Sequence, residues 1–166
     1  MKPPNNYVSI AGEFAVLSQL ALRGIDANLT LGNTKSVDIL ASDPATGKMI
    51  RLEVKTSYGK RPSNSKLFGK TLSWIMSKKH ESIIDPGLLY CFVNIEDEGK
   101  SFRYFIVPSH VVAAYVKASH QFWLDQRPKA KDSSIRNFKL GVDTDGYLIE
   151  TPLAEDYENQ WKLITQ

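Results

Sequence analysis

The chain has 166 residues, 42% of them hydrophobic, 10% aromatic and 23% charged, a globular composition that excludes a disordered or collagen-like chain. Its formal charge of +3 is too slight a basic excess to assign a partner by itself. A single cysteine, Cys91, excludes an internal disulfide, and no stretch nears the ~18 apolar residues of a membrane span. The N-terminus lacks an apolar signal core, so a cytoplasmic setting without membrane contact is expected, with the sequon at Asn28 unmodified.

Ile10, Phe14, Leu17, Leu20 and Ala21 recur at helical spacing before Gly24, which predicts a first helix over about 8–23. Residues 25–31 alternate apolar and polar as a half-buried strand does, and 37–41 read as a second strand. Turn formers fill 43–47. A third strand follows over about 49–57, with Ile50, Leu52 and Val54 on one face and Arg51, Glu53 and Lys55 on the other. Residues 58–70, rich in Gly, Ser, Lys and Pro, read as a mobile loop.

Leu72, Ile75, Met76 and Lys79 fit a second helix that Asp85, Pro86 and Gly87 end. Residues 88–95 form an apolar run expected to be a strand buried on both faces, with Cys91 as a small buried hydrophobe. A turn at 96–99 leads to a strand over 103–108, and Pro108 or Ser109 opens a third helix. The last forty residues suggest a loop, a short hairpin near 147–150 and a terminal helix. The order of elements predicts one α/β domain of mixed strand direction.

Charge is unevenly placed. From Val54 to His80 the chain carries Lys55, Lys60, Arg61, Lys66, Lys70, Lys78 and Lys79 and no acid, whereas 143–158 holds six acids and no Lys or Arg. Such a run can be a solvated face or a phosphate-binding surface. Its start at a cluster of carboxylates favours the second. Tyr58, Phe68 and Trp74 lie among these cations and could stack bases, though Trp74 could equally pack in the core.

If the turn at 43–47 joins an antiparallel hairpin centred near Ala45 and Thr46, residues whose numbers sum to about 91 stand opposite each other. Asp38 and Glu53 satisfy that sum, so their β-carbons should lie ~5 Å apart on one face. Lys55, two residues on, shares it. Two carboxylates that close repel, and a divalent cation between them reverses the sign. Magnesium suits such a site, because it takes oxygen ligands and only one or two carboxylates beside water and phosphate. On its helix Glu13 sits at the margin of the apolar face. Spacing alone leaves open whether it points at the sheet or stays exposed with its stem over apolar surface.

Glu13 on the first helix, Asp38 in the Ser36-Val37-Asp38-Ile39-Leu40 segment and the Leu52-Glu53-Val54-Lys55-Thr56 segment together resemble the PD-(D/E)XK nuclease signature, and the resemblance covers roughly residues 8–108. Val37 stands where the proline that names the motif would be. The resemblance implies a restriction endonuclease-like αβββαβ core, a mixed central sheet flanked by helices, with the core over about 8–124 and a C-terminal extension over about 125–166. It implies phosphodiester hydrolysis with Mg²⁺, or Mn²⁺ in its place. Asp38 and Glu53 would hold the metal, with the Val54 carbonyl as a further ligand. Glu13 would bind a second metal or orient its water, and Lys55 would position the attacking water. Lys60, Arg61, Lys66, Lys70, Lys78 and Lys79 would then face the nucleic acid. DNA is the expected partner, with RNA left open, and cutting both strands of a duplex favours a homodimer or larger assembly. The contrasting expectation is an inactive nucleic-acid-binding or protein-interaction module on the same fold.

Other motifs point elsewhere less well. His80, His110 and His120 have no zinc spacing, and 143–146 lacks the closing Glu of a calcium loop and reads as a turn. No glycine-rich phosphate loop suggests ATP hydrolysis.

Overall fold

The computed structural model describes residues 3–30 and 37–165. A helix, Asn5–Ala21 (α1), precedes three strands, Asp26–Leu29 (β1), Ile39–Ser42 (β2) and Met49–Tyr58 (β3). The expected first strand reached Leu31, which lies outside the described residues. Two strands follow, Ser63–Ser65 (β4) and Gly69–Ser77 (β5), and then a 3-10 turn at Lys78–Glu81. Leu88–Glu96 (β6) and Ser101–Pro108 (β7) lead into the long helix Ser109–Asp125 (α2). Ile135–Gly141 (β8), the single turn Ala154–Tyr157 (α3) and a 3-10 turn at Trp161–Ile164 complete the chain.

The strands form two sheets. The larger has the order β1-β2-β3-β6-β7, in which only the β3–β6 pair is parallel, and the smaller is the antiparallel β4-β5-β8. This is the expected mixed central sheet flanked by helices. Alternation along β6 explains the layering. Leu89, Cys91, Val93 and Ile95 join Val8, Val16 and Leu20 of α1 in one core. Leu88, Tyr90 and Phe92 point the other way, into a core with Val112 and Val116 of α2 and with Trp74, Phe138 and Leu140 of the small sheet. Eight of the nine β6 residues are buried, as a strand covered on both faces requires.

The element expected as a second helix is strand β5. Leu72, Ile75 and Met76 fit a helical repeat, but Leu72, Trp74 and Met76 fit a period of two equally well, and the ladder with β8 decides between them. Leu72, Trp74 and Met76 are buried while Ile75 is 67% exposed. The Trp74 indole N–H donates to the Val93 carbonyl at 3.0 Å, so this tryptophan is a core residue. Likewise 58–70 is not wholly loop, because β4 pairs with the start of β5.

No hairpin forms near 147–150. The Tyr147 hydroxyl instead donates to the Lys70 carbonyl at 3.0 Å and accepts the Asp143 N–H at 3.1 Å, tying this segment to the edge of the small sheet. The expected terminal helix is only α3 and a 3-10 turn, whose Trp161 and Ile164 seal the α1 core. No described helix is long and apolar enough to cross a membrane.

Candidate active site

The β2–β3 hairpin sets the site. Asp43 closes its turn, accepting from the Ala45 N–H at 3.0 Å and the Thr46 hydroxyl at 2.8 Å, while Gly47 takes a left-handed conformation with φ +69°. The ladder pairs Ile39 with Leu52 and Ser42 with Met49, so partner numbers sum to 91, as the sequence predicts. Asp38 is one step beyond the last pair. Its N–H donates to the Leu52 carbonyl at 2.8 Å, and its Oδ2 accepts the Val54 N–H at 2.7 Å. The turn therefore places Asp38 at the mouth of β3.

Glu53 is 2% exposed on the face of β3 opposite α1. Its Oε1 accepts from Lys55 Nζ at 2.6 Å and faces His80 Nε2 at 3.1 Å. Its Oε2 is buried without a hydrogen bond of acceptable geometry. Burial works to raise the pKa of Glu53, but the His80 hydrogen bond and the Lys55 charge outweigh it and take the value down to about 2. Glu53 is thus an anion under all ordinary conditions. Its charge, added to burial, keeps the neighbouring Tyr90 phenol protonated well above the usual range.

Asp38 and Glu13 behave oppositely. Burial chiefly, with the charge of Glu53, raises the pKa of Asp38 against the pull of the Val54 N–H, Lys55 and Lys79. Burial and then the charge of Asp38 raise that of Glu13, with Lys55 opposing. Glu13 lines the same groove as Asp38 and Lys55. The helix brings it there through Gly12, where a β-carbon would stand 1.9 Å from Thr56 Oγ1 of β3. Only glycine allows so close an approach.

Glu13, Asp38, Val54, Lys55, Tyr58, Lys60 and Ile75 line one groove of about 480 Å³, and Glu53 lies beneath its floor. Among the described residues no three His, Cys, Asp or Glu side chains gather as one metal cluster. The donor chemistry nevertheless fits a hard divalent cation, since magnesium needs one or two carboxylates and completes its shell with water and phosphate. Asp38 and Glu13, two groove carboxylates whose charge is disfavoured by burial, are the groups that a cation would relieve.

No family model and no curated protein matches the sequence. Among solved structures the chain is similar to a bacterial homing endonuclease, I-Ssp6803I, with a TM-score of 0.60 and 15% identity over 98% of this chain and 93% of that one. The fold is that of the PD-(D/E)XK nucleases. A weaker likeness, with a TM-score of 0.40 and 15% identity over 86% of this chain and 97% of the other, is to Hjc, a Holliday junction resolvase from the archaeal hyperthermophile Archaeoglobus fulgidus.

On this PD-(D/E)XK-type fold the basic residues divide. Lys60 lines the groove and donates to the Ser73 carbonyl at 3.2 Å, and the charge of Lys79 reaches Asp38. Arg61 and Lys66 are exposed beside and at the turn of the β4–β5 hairpin. Lys70 stands 3.6 Å from Asp143 and Lys78 2.8 Å from Asp132, so acids late in the chain fold back on part of the basic run. The 143–146 segment makes bends, as a turn reading expects.

Sequence reasoning missed His80, which it weighed only as a zinc ligand. The readable signal was Ser77, an N-cap residue three positions earlier. His80 Nδ1 lies 3.0 Å from both the Ser77 N–H and the Ser77 carbonyl, and its Nε2 lies 3.1 Å from Glu53 Oε1. The cap is fastened further by Arg136, which pairs with Glu81.

Proposed function

We propose that this protein is a metal-dependent endonuclease that hydrolyses phosphodiester bonds in DNA. The observation that carries the reading is the placement of Lys55 in the groove, 2.6 Å from a buried anionic Glu53, beside the desolvated Asp38 and Glu13. The likeness in fold to a homing endonuclease supports DNA as the substrate.

Asp38 and Glu53 are the residues that would hold magnesium, with manganese as its substitute and the Val54 carbonyl and Glu13 as further oxygen donors. When bound, the metal neutralises phosphate charge and lowers the pKa of a coordinated water. The chain's own groups do the rest. The Lys55 ammonium holds a phosphate oxygen and orients the attacking water. Glu53 holds Lys55 in place, and His80 holds Glu53. Asp38 is fixed by the Val54 N–H, so its free oxygen faces the groove. Lys60 and Lys79 add positive charge along the path of the strand. The bond from the water oxygen to phosphorus forms as the bond to the leaving sugar oxygen breaks, the water's proton passing to solvent and the leaving oxygen taking one from solvent. Two copies of the chain would supply the two sites that cutting a duplex requires.

The test is cleavage of plasmid, linear, single-stranded and branched DNA with and without magnesium, with Lys55→Ala as control. Metal-dependent products that disappear in the variant support the reading, and the preferred substrate narrows the role. Salt-sensitive binding without any product would replace it with a binding module on the same fold.

A further inference from the structure

A second cavity, of about 390 Å³, lies on the far side of strand β5 from the groove. Its walls are aromatic and come from separate elements. Phe68 belongs to the β4–β5 turn, while His120 and Trp123 belong to α2 and are stacked on each other, with ring centroids 5.6 Å apart and planes at 22°. Ile135, Asn137 and Lys139 of β8 form its floor. Lys139 Nζ sits 5.1 Å from the Phe68 ring centroid, and the Arg127 guanidinium lies 5.4 Å from that of Trp123. This volume is within the range of small-molecule sites, and aromatic walls with a few polar groups and cations are what a planar heterocycle beside a phosphate requires.

The cavity joins the groove across one strand spacing. Ile75 lines the groove, and its ladder partner Asn137 lines the cavity. Lys60 donates to the carbonyl of Ser73, whose ladder partner is Lys139. Two lysines thus converge above the same pair of strands between the two sites. Burial chiefly, and the charge of Lys60 in addition, holds the pKa of Lys139 below the ordinary lysine value, a cost that an anion between them removes.

We infer that the Phe68–His120–Trp123 cavity is a subsite that takes one unstacked base of a bound nucleic-acid strand, with Lys60 and Lys139 holding the phosphate that leads from it to the groove. The inference rests on the nuclease reading for the direction of the strand, but the cavity, its aromatic walls and Lys139 are independent of Asp38 and Glu53. Asn137 offers an amide donor and acceptor to a base edge, and the exposed outer face of the small sheet is the surface along which the strand passes.

The test is fluorescence anisotropy of the full chain with a labelled single-stranded oligodeoxythymidine, in chelator so that no cutting occurs. Trp123→Ala and Lys139→Ala should each weaken binding roughly 10-fold, the loss of one stacked base or one phosphate contact. Trp123→Phe, which keeps an aromatic face, should retain most of it, and circular dichroism of each variant separates this from a loss of folding. Binding by Trp123→Ala and Lys139→Ala equal to the unsubstituted chain overturns the subsite, and cleavage by the same proteins in magnesium without chelator shows separately whether the nuclease reading stands. No binding by the unsubstituted chain also overturns it. So does a mononucleotide, thymidine monophosphate, that binds as tightly as the strand, and so does a change confined to oligomeric state in size-exclusion chromatography, which would mark the cavity as a contact between copies.

Discussion

His80 Nε2 stands 3.1 Å from Glu53 Oε1, and both side chains are 3% exposed. A buried carboxylate without partners would be driven toward protonation, so this contact and the Lys55 charge are what keep Glu53 ionised.

Replacing His80 with Ala should cost about 1.5–3 kcal/mol, the range for a buried hydrogen bond to a charged group. The pKa of Glu53 should rise with it. Because that pKa is lowered in the folded protein, Glu53 contributes stability above the unfolded value of 4.5, and the contribution is lost as pH falls toward about 2. In His80→Ala, whose folded value lies nearer the unfolded one, the loss should be smaller and complete at a higher pH. Thermal melts of the two proteins across that range check this, and parallel curves would show that His80 does not govern Glu53.

Asp38 carries the opposite sign. Its pKa is raised, so the folded chain binds the proton more tightly than the unfolded chain does, and ionising it costs stability as pH rises past the unfolded value of 3.8. Asp38→Asn, whose side-chain oxygen can still accept the Val54 N–H, should therefore melt slightly higher than the parent at neutral pH in chelator and no higher in acid. Magnesium should raise the melting temperature of the parent and leave the variant nearly unchanged. An equal magnesium shift in both proteins would remove Asp38 from the metal site.

The strand at 69–77 gives a direct check on the register of the small sheet. Trp74→Ala should cost about 3–5 kcal/mol, as for a buried aromatic, whereas Ile75→Ser should stay within about 0.5 kcal/mol. Urea unfolding separates the two. A large loss at Ile75 with tolerance at Trp74 would contradict the pairing with β8.

The same strand shows where sequence reading stops. Asp38 and Glu53 could be paired by counting, because a short turn rich in Asp, Pro and Gly fixes the register of the strands it joins. β6 was legible because nothing but a covered strand explains so short and continuous an apolar run. β5 was not, since Leu72, Trp74, Ile75 and Met76 satisfy both periods, and its partner β8 lies far along the chain. The cavity beside Trp123 was hidden for the same reason, being assembled from a turn, a helix and a strand distant in sequence. Glu13 was ambiguous on its helix alone. The contact of Gly12 with Thr56 decides it, and that is a fact about the strand as much as about the helix.

Asp38, Glu53 and Lys55 act together as one hydrolytic site in the proposed reaction. The most direct measurement is the rate of nicking of supercoiled plasmid in saturating magnesium by the parent chain and by Lys55→Ala, both shown folded by circular dichroism. The rate should fall at least about 100-fold in the variant, as when a group that stabilises transition-state charge is removed. Nicking at the parent rate by Lys55→Ala would contradict that assignment.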